Sequence, residues 1–351
     1  MALSQPLTIL WQHQSADEQT TILTPAAHNG RIYLPLTRGI ILSLSSEDGT
    51  TAWRAETGGE ISASPSADPR GVYVASQTFY ASNGVESRAT GTLRLLSSAT
   101  GVTLWMRTLP RPFRGSLVST ETTLYGGTED GQVLAINKKT GDIIWTFKHT
   151  NGFASTPVLH GDQIYIGSTD GTLFSLQQRT GKPLWRYRTR GALRGAVSVA
   201  GRLIFFGSVD GYIYALEVSN GKLRWRTRTG AGVQAVALTE EGLIAASFDN
   251  FVYSFSPQRG KLQWKRLLAG RIVAQPLATK DGVLFAPLSG DACVVLNPQD
   301  GKQLNTLPVG TDNNTGASPI MTGNILIITT RNGVLAFSSP LNDGDAVSGR
   351  H

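Results

Sequence analysis

Apolar residues along this chain come in short runs separated by small and polar ones, and no segment sustains a 3.6-residue period. The pattern is clearest around Gly171–Thr189, GTLFSLQQRTGKPLWRYRT. Four strand-length runs can be read there, Ala154–Leu159, Gln163–Ser168, Thr172–Leu176 and Pro183–Arg188. Their connections carry His160-Gly161-Asp162, Asp170-Gly171 and Thr180-Gly181, the residue types that tight hairpins require. The third run is almost continuously apolar or small, as expected of a strand buried on both faces. The unit is therefore a four-stranded antiparallel sheet whose strands are called A to D.

The unit recurs. Its D-strand tryptophan stands at 11, 53, 105, 145, 185, 225 and 264, and Asn305 takes the next place. Successive spacings are 42, 52, 40, 40, 40, 39 and 41, a period of about 40 residues, which fits propeller blades of ~40–45 residues. The outlier marks an insertion at Gln77–Thr90, between strands B and C of the second unit.

Eight D strands and eight A–B–C sets can be counted, but they are out of phase. The first D strand, around Leu7–Trp11, has no partners before it, and the last A–B–C set, from near Gly316, has no D strand after it. The expectation is one all-β domain, residues 1–337, folded as an eight-bladed β-propeller. The N-terminal strand completes the last blade and leaves no free edge at the seam. Residues 338–351 are read as a polar, disordered tail.

The repeat A-x-(D/N)-x-x-T-G-x-x-x-W, seen best in Ala135, Asn137, Thr140, Gly141 and Trp145, resembles the pyrroloquinoline-quinone-like propeller repeat over almost the whole chain. The resemblance implies the fold and leaves two functions open. One branch of that family is the quinoprotein alcohol dehydrogenases, with the quinone and calcium in the channel. The other is non-catalytic scaffolds such as BamB, a lipoprotein of outer-membrane protein assembly. It also implies a periplasmic or otherwise extracytoplasmic setting.

Composition weighs against the enzyme. The single cysteine, Cys293, sits in an apolar run, which excludes the adjacent cysteine pair that the resemblance associates with the quinone. Asp130, Asp170, Asp210 and Asp249 occupy one repeated place before strand C, where turn chemistry accounts for them. The five histidines show no metal-ligand spacing, and no G-x-S-x-G, P-loop or H-E-x-x-H occurs. No cofactor is expected; a quinone with calcium belongs only to the alternative, a dehydrogenase or its inactive relic. A third possibility is a sensor or anion-binding domain.

The formal net charge of +7 reads as modest and spread along the chain, which argues against a nucleic-acid partner. No run has the ~18 apolar residues of a membrane span, and the start, MALSQPLTIL, lacks the features of a signal peptide.

The candidate site lies where the repeats differ. D–A and B–C connections share one face of a propeller. Arg111 and Arg114 enter blade 3, Arg190 and Arg194 blade 5, and Arg271 blade 7, while Arg38 and Arg331 take the B–C turns of blades 1 and 8. The insertion adds Phe79 and Tyr80, and aromatic residues of this kind are enriched at interfaces. The set reads as a basic funnel on a monomeric, non-enzymatic scaffold, suited to acidic or extended protein segments.

Overall fold

A computed structural model describes residues 1–15, 18–79 and 89–340. Its strands form eight antiparallel sheets, one for each expected blade. Blades 1 to 7 each use consecutive strands; blade 4, for example, runs Val158–His160, Gln163–Gly167, Thr172–Gln177 and Pro183–Arg188. Blade 8 takes Ile320–Thr322, Ile325–Thr330 and Gly333–Ser338, and its fourth strand is Thr8–Gln14 from the other end of the chain. Thr8 lies opposite Ser338 and Gln14 opposite Gly333. Among the described residues a single 3-10 turn, Thr37–Gly39, is the only helical element. The Tyr80 position and most of the expected tail, residues 341–351, lie outside the described residues.

The core is divided into eight clusters, each made by two neighbouring blades. Tyr125, Val133 and Ala135 of blade 3 pack on Ile164, Ile166 and Phe174 of blade 4; Ile32, Leu34 and Leu42 of blade 1 pack on Ile327, Val334 and Ala336 of blade 8. Burial of both sheet faces explains why the C strands carry little polar alternation.

Trp and Gly of the repeat meet across seven of these eight boundaries. Every D strand has a bulge at the residue before the Trp position, so that Trp105 faces Leu95 while Leu104 is skipped, and the seam strand repeats it at Leu10. A bulge bends the strand and re-aims the next side chain. The indole N–H of Trp145 donates to the Gln178 carbonyl in the C–D turn of the next blade at 3.0 Å. The other six tryptophans make the equivalent bond, at 2.8 to 3.1 Å. The ring lies flat on the turn glycine: a Cβ on Gly181, which has φ +69, would stand 2.4 Å from the Trp145 ring. The glycine thus serves both the turn and the passage of the ring.

The A strands are shorter than the sequence suggests. In blade 4 strand A begins at Val158 instead of Ala154, because Pro157 has no N–H for the ladder. Proline stands at the same place in blades 1, 2, 7 and 8, at Pro25, Pro65, Pro276 and Pro319, whereas blades 3 and 6 lack it and have long A strands, Phe113–Ser119 and Val233–Leu238. Blade 5, with Val197, is also short, and nothing in the structure explains it. The segments freed from pairing line the axis.

Candidate docking face and central channel

The D–A segments and B–C turns are on one face and are bonded to each other. The N–H of Glu129 donates to the Pro112 carbonyl, that of Thr169 to Gly152, and that of Val209 to Ala192. Blade 2 differs: strand B, Gly71–Phe79, and strand C, Ala89–Leu96, are lengthened toward the insertion, and Glu60–Ile61 pairs with Ser76 and Gln77. Phe79, at the end of that hairpin, is 58% exposed.

A cavity of about 780 Å³ runs along the axis and touches all eight blades. Its wall has two layers. Nearer the D–A face are Ile22, Ser62, Arg114, Ala154, Arg194, Gln234, Val273 and Gly316, one from each blade. Two residues deeper, the hydroxyls of Thr24, Ser64, Ser116, Thr156 and Ser318 predominate, together with Gln275. The only ionisable residues on the described wall are Arg114 and Arg194.

Half of the deeper layer is laced together. The N–H of Gln275 donates to Ser318 Oγ (2.9 Å), that of Ser318 to Thr24 Oγ1 (3.0 Å), and that of Thr24 to Ser64 Oγ (3.0 Å). The Ser64 N–H continues to the Gly115 carbonyl at 2.9 Å. This relay joins blades 7, 8, 1, 2 and 3, crossing the seam from the inside. Nothing in the sequence pattern marks it, because each member is an ordinary small polar residue whose partner lies on another blade.

A second cavity, about 830 Å³, opens over the seam on the same face and shares Thr21, Ile22, Leu288 and Gly316 with the channel. Its wall is mostly hydroxyl and amide, with Asp312 and Arg331 as its charges. Ile22 stands at the junction, 74% exposed.

The arginines of the expected funnel have different surroundings. Arg194 is exposed in the first layer and makes no ion pair among the described residues. Arg114 is bound to Glu129 at 2.5 Å. Arg111 is turned to the blade 2 hairpin, donating to the Ala89 carbonyl at 3.1 Å. Arg271 is exposed, with its guanidinium 5.3 Å from the centre of the Phe248 ring. Arg38 and Arg190 are also exposed, and their backbone N–H groups donate to Glu60 Oε1 and Asp210 Oδ2. Arg331 lines the seam cavity. The half-buried Arg94 is a further cation near this face that the sequence reading omits; it donates to Ser76 Oγ at 3.0 Å, and burial lowers its pKa.

The repeated aspartates act in their turns. Asp170 Oδ1 accepts from the Thr172 N–H at 3.0 Å, and Asp210 and Asp249 do the same for Tyr212 and Phe251. Burial raises the pKa of Asp170, but hydrogen bonds from Thr172 and Ser168 and the nearby His149 outweigh it and hold the carboxyl below its ordinary range. Cys293 is fully buried, and burial pushes its thiol up to about 12, so it remains protonated.

The charge is less evenly spread than the total suggests. Residues 179–228 hold eleven Lys and Arg against two Asp and Glu, a formal +9, so the rest of the chain sums to −2. Counting charge by repeat instead of over the whole chain would have found this. No helix of the described residues is long and apolar enough to cross a membrane.

Solved structures with the same fold have different functions. BamB from Moraxella catarrhalis superposes with a TM-score of 0.77 at 17% identity, covering 96% of this chain and 99% of that one. The quinohemoprotein alcohol dehydrogenase ADHIIG from Pseudomonas putida HK5 also gives 0.77, at 12% identity, covering 96% of this chain and 78% of the enzyme. The computationally designed propeller Ika8 gives 0.79 at 14% identity, covering 94% and 99%. At these identities the likeness shows the fold alone. No curated protein matches the sequence. The family model for the outer membrane protein assembly factor BamB matches residues 89–198 and 177–346, most of the ring, and the chain belongs to that family.

Proposed function

We propose that the protein is a non-enzymatic docking scaffold that receives an acidic, extended protein segment at the mouth formed by its D–A and B–C connections. The observation that carries this reading is the channel wall, contributed by every blade, whose described residues include two cations, Arg194 and the Glu129-paired Arg114, and no carboxylate of their own. Arg38, Arg190, Arg271 and Arg331 add cations to the surrounding face, Phe79 supplies aromatic contact at blade 2 with Tyr80 next to it in sequence, and Arg111 positions that hairpin. An extracytoplasmic setting accords with the family.

Hydrogen exchange with an Asp- and Glu-rich peptide tests the docking face. Protection is expected in the D–A segments entering blades 3 and 5. Protection confined to the A–B and C–D turns would reject it.

The dehydrogenase alternative has one observation in its favour, a channel with two cations suited to the carboxylates of a quinone. The donor set does not fit the calcium: such an ion takes clustered oxygen ligands that usually include carboxylates, and the described channel wall has none. Adding the quinone and calcium and recording its absorbance tests this directly; a stoichiometric bound chromophore would favour the enzyme.

A further inference from the structure

Of the eleven Lys and Arg residues in 179–228, Arg186, Arg188, Arg224, Arg226 and Arg228 lie on the D strands of blades 4 and 5, whereas Arg190 and Arg194 belong to the channel face. All eleven are exposed. The D strands of blades 4 and 5, Pro183–Arg188 and Leu223–Arg228, form part of the outer rim. Their two-residue period turns Arg186, Arg188, Arg226 and Arg228 to solvent, while Trp185 and Trp225 point inward. In blade 6, Leu262–Leu267 continues the row with Lys265, while Arg266 shares the face of Trp264 and donates through Nε to the Gly301 carbonyl at 2.9 Å.

Little on the protein neutralises these groups. Asp170 lies 3.8 Å from Arg188, and the neighbouring Arg224 is held by Glu217 at 3.2 Å. Aromatic faces support two of the cations: Arg226 lies 5.1 Å from the Tyr212 ring centre, and Lys265 lies 5.1 Å from that of Phe251. Such contacts order a long side chain without consuming its charge.

Aliphatic side chains stand among the cations. Leu184, Leu223 and Leu262 are 47%, 42% and 43% exposed, and Leu267 is 63% exposed. Exposed aliphatics recur elsewhere on the rim, at Leu104 and Ile144 for example, but only blades 4 to 6 combine them with rows of cations. We infer that the outer rim of blades 4 to 6 docks on an anionic phospholipid surface, its cations among the phosphates and its leucines at the edge of the acyl region. A nucleic-acid backbone would use the cations but leave the leucines without a role. The aromatic rings that could stack on bases are partly buried and covered by Arg226 and Lys265. The rim is separate from the channel mouth, so the protein can hold a partner there while lying against the lipid.

The test is sedimentation of the purified chain with phosphatidylcholine vesicles, with and without phosphatidylglycerol, at physiological ionic strength. Binding is expected only to the anionic vesicles. Reversal of Arg186, Arg188, Arg226 and Arg228 to Glu weakens it at least about tenfold. The same charge change at Arg70, Lys139, Lys280 and Lys302, distributed elsewhere, weakens it much less. Changing Leu184, Leu223 and Leu262 to Ser lowers vesicle binding but not adsorption to duplex DNA. Circular dichroism and melting confirm that each variant folds. Equal losses from the two charge sets, indifference to the leucines, or preference for duplex DNA or an acidic protein over vesicles would overturn the inference. Arg194 is retained in every variant, so failure here leaves the mouth untouched.

Discussion

Asn305 Nδ2 donates to the carbonyls of Gln5 at 2.7 Å and Leu3 at 3.2 Å, across about three hundred residues of sequence. This explains why the tryptophan is missing from blade 7. Elsewhere the D-strand Trp rests on the C–D turn of the next blade, but blade 8 takes its D strand from the chain's other end and has no such turn. Residues preceding the seam strand occupy that place. Leu3 is fully buried with Leu284, Val295 and Leu335, and Ser4 donates to Asp281 through both its N–H and its hydroxyl, each at 2.8 Å.

Removal of residues 1–6 is therefore expected to destabilise the ring although the seam strand remains, by about 2–5 kcal/mol if the loss of Leu3 sets the scale. Asn305→Ala should cost about 1 kcal/mol. Asn305→Trp should fail to restore the repeat and cost roughly 1–3 kcal/mol through overpacking. Urea unfolding of the three variants measures this; a stabilising Asn305→Trp would mean that the seam accepts the ring after all.

Two glycines with similar backbone angles separate the effect of conformation from that of the tryptophan contact. Gly161 has φ +59 with nothing within 4 Å of an added Cβ, whereas Gly181, φ +69, has the Trp145 ring at 2.4 Å. Alanine at 161 should cost roughly 1 kcal/mol, and at 181 substantially more. Thermal melts of both variants check the order, and equal losses would remove the ring contact from the explanation.

The seam should weaken in acid. Burial raises the pKa of Asp281, but the hydrogen bonds from Ser4 and Thr279 outweigh it, and the folded value lies below the ordinary 3.8. A carboxyl depressed on folding contributes stability that is fully present above its unfolded pKa and is lost as pH falls through the folded value. Asp281→Asn should lower stability at neutral pH and narrow its difference from wild type below about pH 4. Denaturation at neutral and acid pH measures that change; a constant difference across the range would contradict it.

The ring was legible because the same Gly–Trp contact is made at seven of the eight boundaries, which leaves a period of about 40 residues in the sequence. Closure was legible from the unpaired D strand. The site was less so, since an arginine in a D–A segment has the same letter whether it is exposed like Arg194, bonded to Glu129 like Arg114, or turned to a carbonyl like Arg111. The Gln275–Ser318–Thr24–Ser64 relay depends on positions far apart in sequence meeting at the axis. Asn305 breaks the tryptophan series in the sequence without showing why, because its partners, Leu3 and Gln5, lie at the other end of the chain.

The affinity of an Asp- and Glu-rich peptide, measured by fluorescence anisotropy on Arg194→Ala and Glu129→Gln, bears most directly on docking at the mouth. Arg194→Ala should weaken binding by about tenfold, the scale of one charge-assisted contact, and Glu129→Gln should strengthen it by freeing Arg114. Unchanged affinity in both variants would place the peptide elsewhere and contradict the proposed function.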